Sequence, residues 1–442
     1  MSKRWQKFAR TLWKLLLGSV WLLASLLGCQ TPPTVQMEAV PCPAAQWQVQ
    51  FSKLAEHPGE SEPAMTTLYV GLTTWLYALD ANSGRPRWCR MLRWNGTSHE
   101  DLLGFITITR VGQDLYANTA DAYLLALNAQ NGAVRWGAED LEALDLDDVR
   151  GVPAVDKATG QVYQKDVKTV TALAGSDGQS RWTYQLPQKD TSRATTSVSL
   201  MPLVGEGGVY VVGDDLMTVP ERSALVVALD ARTGQPHWQR SFPEGSFQSP
   251  RAMVLGNGVL CLDLENGVVA VDASDGRVLW QASGSRWHMF SYWLLAAGQG
   301  WLYVAKEVVR NQKWQVSAVR LADGEESWSI ELPGMFDSDG MQGVLDGKVL
   351  YLLDVQGMVT ALDGQSRRVL WQKQPATREG GGLLPSRLLV GKSEVYLFTA
   401  SPDGKERFVL HALDKESGQE QWKIVLPLPV KEGEYWKPVL TN

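Results

Sequence analysis

Apolar residues in this chain cluster in short runs separated by Gly- and Asp-containing breaks, with no extended 3.6-residue periodicity. "LYVGL" (68–72), "GVYVVG" (208–213), "GVLCLD" (258–263) and "VLYLLD" (349–354) are rich in β-branched and aromatic residues and bounded by Gly or Asp. Such runs predict short strands. A second kind of run follows them. "GVVAVD" reads as a strand, "ASDG" as a turn and "RVLWQAS" as a returning strand.

This second pattern repeats. Eight tryptophans, Trp88, Trp136, Trp182, Trp238, Trp280, Trp328, Trp371 and Trp422, are separated by 48, 46, 56, 42, 48, 43 and 51 residues. Ten residues before each stands Ala, and nine before stands Leu or Val. Eight before, Asp80, Asp230, Asp272, Asp363 and Asp414 recur, with Asn128 in a sixth repeat and Ala174 and Arg320 as exceptions. Four before, seven repeats carry Gly and one carries Arg367. The Asp side chain suits a turn because it accepts backbone N–H groups. Gly suits positive φ at the closing residue of the hairpin, so Arg367 implies a costlier conformation or another turn. A small Ala admits a neighbouring sheet, and the indole N–H of a buried Trp requires an acceptor.

Each repeat therefore predicts a four-stranded antiparallel sheet that cannot bury both faces alone. Radial stacking solves this, so the expected fold is all-β, an eight-bladed β-propeller of four-stranded antiparallel blades. The period also suits WD40 and kelch propellers, but neither signature recurs. The pattern Ala-x-Asp-x-x-(Ser/Thr/Asn)-Gly-x-x-x-Trp resembles the tryptophan-docking motif of PQQ-type propellers, over residues of about 45–430. That family includes quinoprotein alcohol dehydrogenases and a propeller lipoprotein of the bacterial outer-membrane β-barrel assembly machine. The resemblance implies the fold. The motif joins blades and touches no substrate, so it does not imply an activity. Family propellers often complete the last blade with an N-terminal strand, and "WQVQF" (47–51) is a candidate, expected against the last blade. Trp422 already begins an outer strand, which leaves one candidate outer strand too many.

The N-terminus adds localisation. Lys3, Arg4, Lys7, Arg10 and Lys14 precede an apolar run from Leu15 to Leu27, which suits a signal-peptide core rather than a membrane span. It ends in "LLGC" (26–29), which resembles a bacterial lipoprotein signal with Cys29 as the lipidated residue. The expected organisation is a signal peptide at 1–28, a Pro-rich tether at 29–45, the propeller at 46–430 and a C-terminal tail at 431–442. The product would be exported and lipid-anchored to the cell membrane or outer membrane, facing the periplasm or exterior. Without the signal, 37 basic residues face 48 acidic ones, a net charge of −11. That balance argues against nucleic acid as a partner. Of Cys42, Cys89 and Cys261, the pair Cys42–Cys89 is one possible disulfide; three unpaired thiols is the alternative.

Candidate chemistry is sparse. No Cys-Cys pair of the kind beside the quinone in the dehydrogenases occurs, and no run matches their calcium ligands, so no catalytic residue, cofactor or metal is assigned. "DSDG" (337–340) begins like a calcium loop but lacks the acidic twelfth position. Three segments remain as candidate contact surfaces. The first, "EDLEALDLDD" (139–148), contains Asp145, Asp147 and Asp148. The second, "RWHMFSYW" (286–293), contains Trp287 and Phe290. The third is the insertion "DDLMTVPERS" (214–223) in the longest repeat. The expectation is a monomeric, non-catalytic scaffold that binds another envelope protein through loops. Ligand or glycan binding in the central channel is a second reading, and a quinone-dependent dehydrogenase a third.

Overall fold

A computed structural model describes residues 49–51, 67–72, 75–92, 107–118, 123–139, 153–166, 168–187, 196–198, 200–215, 223–243, 252–264, 267–283, 292–308, 313–333, 341–354, 357–375, 388–400, 408–426 and 439–441. Every regular element among them is a strand, and the strands form eight antiparallel sheets, the blades of a β-propeller. Blade 5 is representative. Its four strands, Ala252–Gly256, Val259–Leu264, Gly267–Asp272 and Val278–Ser283, pair in chain order. The first strands of successive blades neighbour one another around the ring, and the fourth strands form the outer rim. Those outer strands are Pro86–Met91, Val134–Glu139, Ser180–Gln185, Pro236–Pro243, Val278–Ser283, Glu326–Pro333, Arg368–Lys373 and Glu420–Leu426.

The middle strands are apolar on both faces because both faces are covered. In blade 5 all six residues of Val259–Leu264 are buried, as are the first five of Gly267–Asp272. The core is divided into clusters that each span two blades. Val259, Cys261, Val268, Ala270 and Trp280 of blade 5 pack on Tyr292, Leu302, Val304, Val319 and Leu321 of blade 6. Leu260, Leu262, Val269 and Val271, on the other face of blade 5, pack on Tyr210, Val212, Val226 and Phe242 of blade 4. This explains why the middle strands read as continuous apolar runs rather than as alternation.

Two terminal segments join the ring: the C-terminal one departs from the expected tail, and the N-terminal one lies against the last blade, as expected. Val439–Thr441, within the stretch expected as a tail, is the innermost strand of blade 1 and pairs with Tyr69, Val70 and Gly71. The blade would otherwise have three strands. Val49–Phe51 lies along the outer strand of blade 8, with Val49 opposite Ile424, Gln50 opposite Lys423 and Phe51 opposite Trp422. The strand containing Trp422 keeps its place and the N-terminal strand becomes a fifth, so neither candidate displaces the other. Trp47 lies outside the described residues, as do Cys29 and the signal and tether segments. Cys89 is disulfide-bonded and Cys261 is a free, buried thiol, which excludes a fully unpaired set.

Trp422 seals the junction between blades 8 and 1 and is 1% exposed. Trp422→Ala is expected to cost about 3–5 kcal/mol in chemical unfolding. Removal of residues 439–442 should also lower the thermal midpoint. An unchanged midpoint after that truncation would rule out a closing role for the last strand.

Candidate functional site

The conserved geometry of the repeat is built at the hairpin between the third and fourth strands of each blade. Ala pairs directly with Trp, as in Ala270 with Trp280, and the register shifts at the next residue in all eight blades. The turn then closes on a residue with positive φ, which is Gly in seven blades and Arg367, at 62°, in blade 7. Asp carboxylates organise several of these turns. Asp80 accepts from the backbone N–H and hydroxyl of Ser83, Asp230 from those of Thr233, and Asp414 from those of Ser417. In the repeats without that Asp, Asp177 and Asp323 instead accept backbone N–H groups later in the turn.

Each turn receives the tryptophan of the preceding blade. Indole N–H groups donate to backbone carbonyls from Trp88 to Ala129 (3.1 Å), Trp136 to Gly175 (2.8 Å), Trp182 to Ala231 (3.0 Å) and Trp238 to Ala273 (2.9 Å). The series continues from Trp280 to Leu321 (2.7 Å), Trp371 to Lys415 (3.1 Å) and Trp422 to Ala81 (2.9 Å). The indole also lies against the turn glycine. A Cβ on Gly276 would meet the Trp238 ring at 2.5 Å, and one on Gly418 would meet Trp371 at 2.5 Å. Gly is thus required both for φ and for the ring that covers it. At the junction of blades 6 and 7, where Arg367 replaces Gly, the described residues contain no matching bond from Trp328.

A tyrosine column completes the junction. Tyr69, Tyr116, Tyr163, Tyr210, Tyr303, Tyr351 and Tyr396 each pair with the motif Ala of their own blade, and blade 5 has Cys261 there. Their rings lie 5.7–6.3 Å from the blade's Trp, at tilted angles. Several hydroxyls share the carbonyl that the Trp uses, as Tyr69 does at Ala129 (2.9 Å) and Tyr210 at Ala273 (3.2 Å). Burial pushes Tyr210 and Tyr351 up to about 12 and the Cys261 thiol up to about 12. These groups stay protonated, as donors or inert thiol, and are poorly suited to acid–base or nucleophilic work near neutrality. Sequence reasoning missed the Tyr column. The separation from Tyr to Ala ranges from 9 residues in blade 1 to 18 in blade 4, because the intervening hairpin varies while the register does not.

Other polar groups in the described core are structural. His411 and Glu420 pair at 2.8 Å in blade 8, with Lys423 beside Glu420. Tyr292 donates to Asp263 at 2.6 Å across the junction of blades 5 and 6. Among the described residues no group of His, Cys, Asp and Glu could hold a metal ion.

The contact candidates Asp145, Asp147, Asp148, Trp287 and Phe290 lie outside the described residues, but their connections have defined ends. In an antiparallel blade, the hairpin between the second and third strands and the link from the fourth strand to the next blade leave from the same face of the ring. Residues 140–153 join Glu139 of blade 2 to Ala154 of blade 3, residues 284–291 join Ser283 of blade 5 to Tyr292 of blade 6, and residues 216–222 join the second and third strands of blade 4. All three therefore depart from one face. The docking turns lie on the other.

Comparison with known proteins places this geometry. The family described as "Outer membrane protein assembly factor BamB" matches residues 43–215, 197–290 and 265–440. The outer membrane protein assembly factor BamB of Xanthomonas campestris pv. campestris is 29% identical over 286 residues, 62% of this chain and 63% of that protein. The protein of the same description from Yersinia pestis is 27% identical over 209 residues, 44% of this chain and 48% of its own length. The matches thus span about half to two thirds of these relatives. The quinohemoprotein alcohol dehydrogenase of Comamonas testosteroni has a similar structure, with a TM-score of 0.54 and 13% identity over 84% of this chain and 74% of that one. At that identity the likeness concerns the fold alone.

The docking turns generate two predictions. Gly276→Ala should lose about 2–4 kcal/mol, from positive φ plus displacement of Trp238, whereas Arg367→Gly should be neutral or gain up to about 1 kcal/mol. Denaturant midpoints of the two variants distinguish them, and equal losses would refute the paired role of the turn residue. The second concerns acid. Hydrogen bonds from Thr233 to Asp230, from Ser274 to Asp272 and from the Ser366 backbone to Asp363 hold these carboxyls below the usual range. Lowered folded-state values stabilise the ring above the unfolded value, and this contribution disappears as pH falls through the folded values, below about 4. Thermal midpoints followed from pH 7 to 3 should fall steeply only at the acid end, and less so in a variant with Asp230, Asp272 and Asp363 changed to Asn.

Proposed function

This chain belongs to the outer membrane protein assembly factor BamB family, and from that premise we propose that it is a non-catalytic, lipid-anchored scaffold in outer-membrane protein assembly. The family match across residues 43–440 carries the reading. It covers the entire ring, so the chain has the same apparatus of docked blades as its relatives rather than an isolated repeat. Rigid rings with loops gathered on one face suit the holding of another protein, because the scaffold fixes the loop ends before any partner arrives. The partner is another envelope protein, and the binding face is the one from which the segments with Asp145, Asp147, Asp148, Trp287 and Phe290 depart. Acidic and aromatic groups together favour a partner with basic residues around an apolar centre. The N-terminal segment ending in Cys29 supplies the anchor, which holds the ring at the membrane facing the periplasm.

The scaffold needs no bound quinone or metal in this reading. The turns that the sequence repeats eight times are occupied by tryptophans of neighbouring blades, so the repeated motif is spent on assembly of the ring.

Mild cross-linking in the native membrane, with a tag on the chain, tests the proposal. Recovery of an outer-membrane assembly protein in stoichiometric amount is expected, and its loss on combined Asp145→Lys, Asp147→Lys and Trp287→Ala substitution with the thermal midpoint unchanged. Cys29→Ser should release the chain from membranes. Recovery of no envelope protein, with quinone and calcium raising the thermal midpoint instead, would overturn the scaffold in favour of the dehydrogenase reading.

A further inference from the structure

A propeller exposes the outer edge of every blade, and exposed edges invite another strand unless something blocks them. Seven of the eight outer strands carry such a block. Blade 1 has Pro86, Arg87 and Arg90, and blade 2 has Arg135 and Glu139. Blade 3 has Arg181, and blade 4 has Pro236, His237, Arg240 and Pro243. Blade 6 has Glu326, Glu331 and Pro333, and blade 7 has Arg368 and Lys373. Blade 8 has Glu420 and Lys423 and is also covered by Val49–Phe51. The outer strand of blade 5, Val278–Ser283, reads VLWQAS and contains no charged residue, histidine or proline, and Arg277, just before it, is paired with Asp272 and Asp275 of its own turn. No described strand pairs with its outer edge.

We propose that the outer edge of blade 5 is a binding site for an extended segment of another polypeptide, which adds to the sheet as an antiparallel fifth strand. The chain supplies its own precedent. At blade 8 the added segment is a short strand detached from any other sheet, and it pairs antiparallel with Trp422, Lys423 and Ile424. The equivalent residues of blade 5 are Trp280, Gln281 and Ala282, since Trp280 and Trp422 both pair with the motif Ala of their blades. Gln281 is exposed and Ala282 is half-buried, so the edge is accessible at the register that the precedent uses. The ligand is therefore an unfolded or extended segment of alternating apolar and polar residues, like the sequence Val49-Gln50-Phe51, recognised mainly through main-chain hydrogen bonds. The precedent occupant is a lone strand and not the edge of a second ring, which favours such a segment over another copy of this chain. The site lies on the outer rim, away from the ring face assigned above to the envelope partner, and it does not depend on that assignment.

The residue after the motif Trp is glutamine in blades 4, 5 and 7, at Gln239, Gln281 and Gln372, which provides matched reporters. A photo-crosslinking amino acid is introduced at each position in the full chain, and a labelled peptide with the sequence of residues 46–53 is the probe. Labelling at 281 is expected to exceed that at 239 and 372 by about fivefold or more. Arg368→Gln combined with Lys373→Gln should raise labelling at 372, because it removes the block on blade 7 without touching a buried contact. Equal labelling at the three positions, or none at 281, would overturn the proposal. So would cross-linking of 281 to a second copy of the chain in preference to the peptide, because the edge would then serve self-association.

Discussion

The ring depends on one hydrogen bond made repeatedly, from an indole N–H to a carbonyl in the turn of the next blade. A blade is a small sheet whose two faces are both apolar, so it has no stable existence by itself. Burial against neighbours is non-directional and would tolerate sliding of one sheet over another. The indole bond removes that freedom. Its donor is buried or half-buried, and the acceptor it meets is a carbonyl fixed by its own turn. At seven junctions the blades are thereby set in height and rotation relative to one another.

The turn is shaped to receive the ring. Positive φ at Gly84, Gly132, Gly178, Gly234, Gly276, Gly324 and Gly418 turns the chain back, and the absent side chain leaves a flat surface for the indole or, at Gly84, for Trp422 together with Ile424. One residue thus meets a backbone requirement and a packing requirement at once. Blade 7 separates them. Arg367 takes the same φ, so the hairpin closes without glycine, but the described residues contain no bond from Trp328 there. Blade 5 shows a different economy, since Cys261 occupies the tyrosine position and Trp280 alone donates to Leu321.

Rigidity of this kind separates the parts of the molecule that make the fold from the connections that leave it. The docking turns occupy one face and are engaged with each other. The connections between blades and the hairpins of the middle strands leave from the opposite face, where length and composition vary without disturbing register. The outer rim is a third surface, and its blocking residues are distributed blade by blade. A family resemblance carried by the docking turns therefore identifies the ring and is silent about the partner, and the quinohemoprotein dehydrogenase fold shares the ring in the same way.

The sequence by itself determined the blade count, the hairpin that docks and the residues that dock it. Ala, Asp, Gly and Trp lie within one hairpin of constant length, so their geometric relation appears as a fixed spacing, from Ala78–Trp88 to Ala412–Trp422. The tyrosine column is as regular in space but is separated from its alanine by a hairpin of variable length, so no fixed spacing betrays it. Closure of blade 1 was decided by the tertiary structure alone, whereas the resemblance places a strand within residues 47–51 against the last blade without fixing its register. Val439–Thr441 and Val49–Phe51 are three-residue strands with no motif of their own. Their partners lie hundreds of residues away, and main-chain pairing accepts almost any side chain. What made those segments strands was the unfilled edge of a blade, which exists only once the ring has formed.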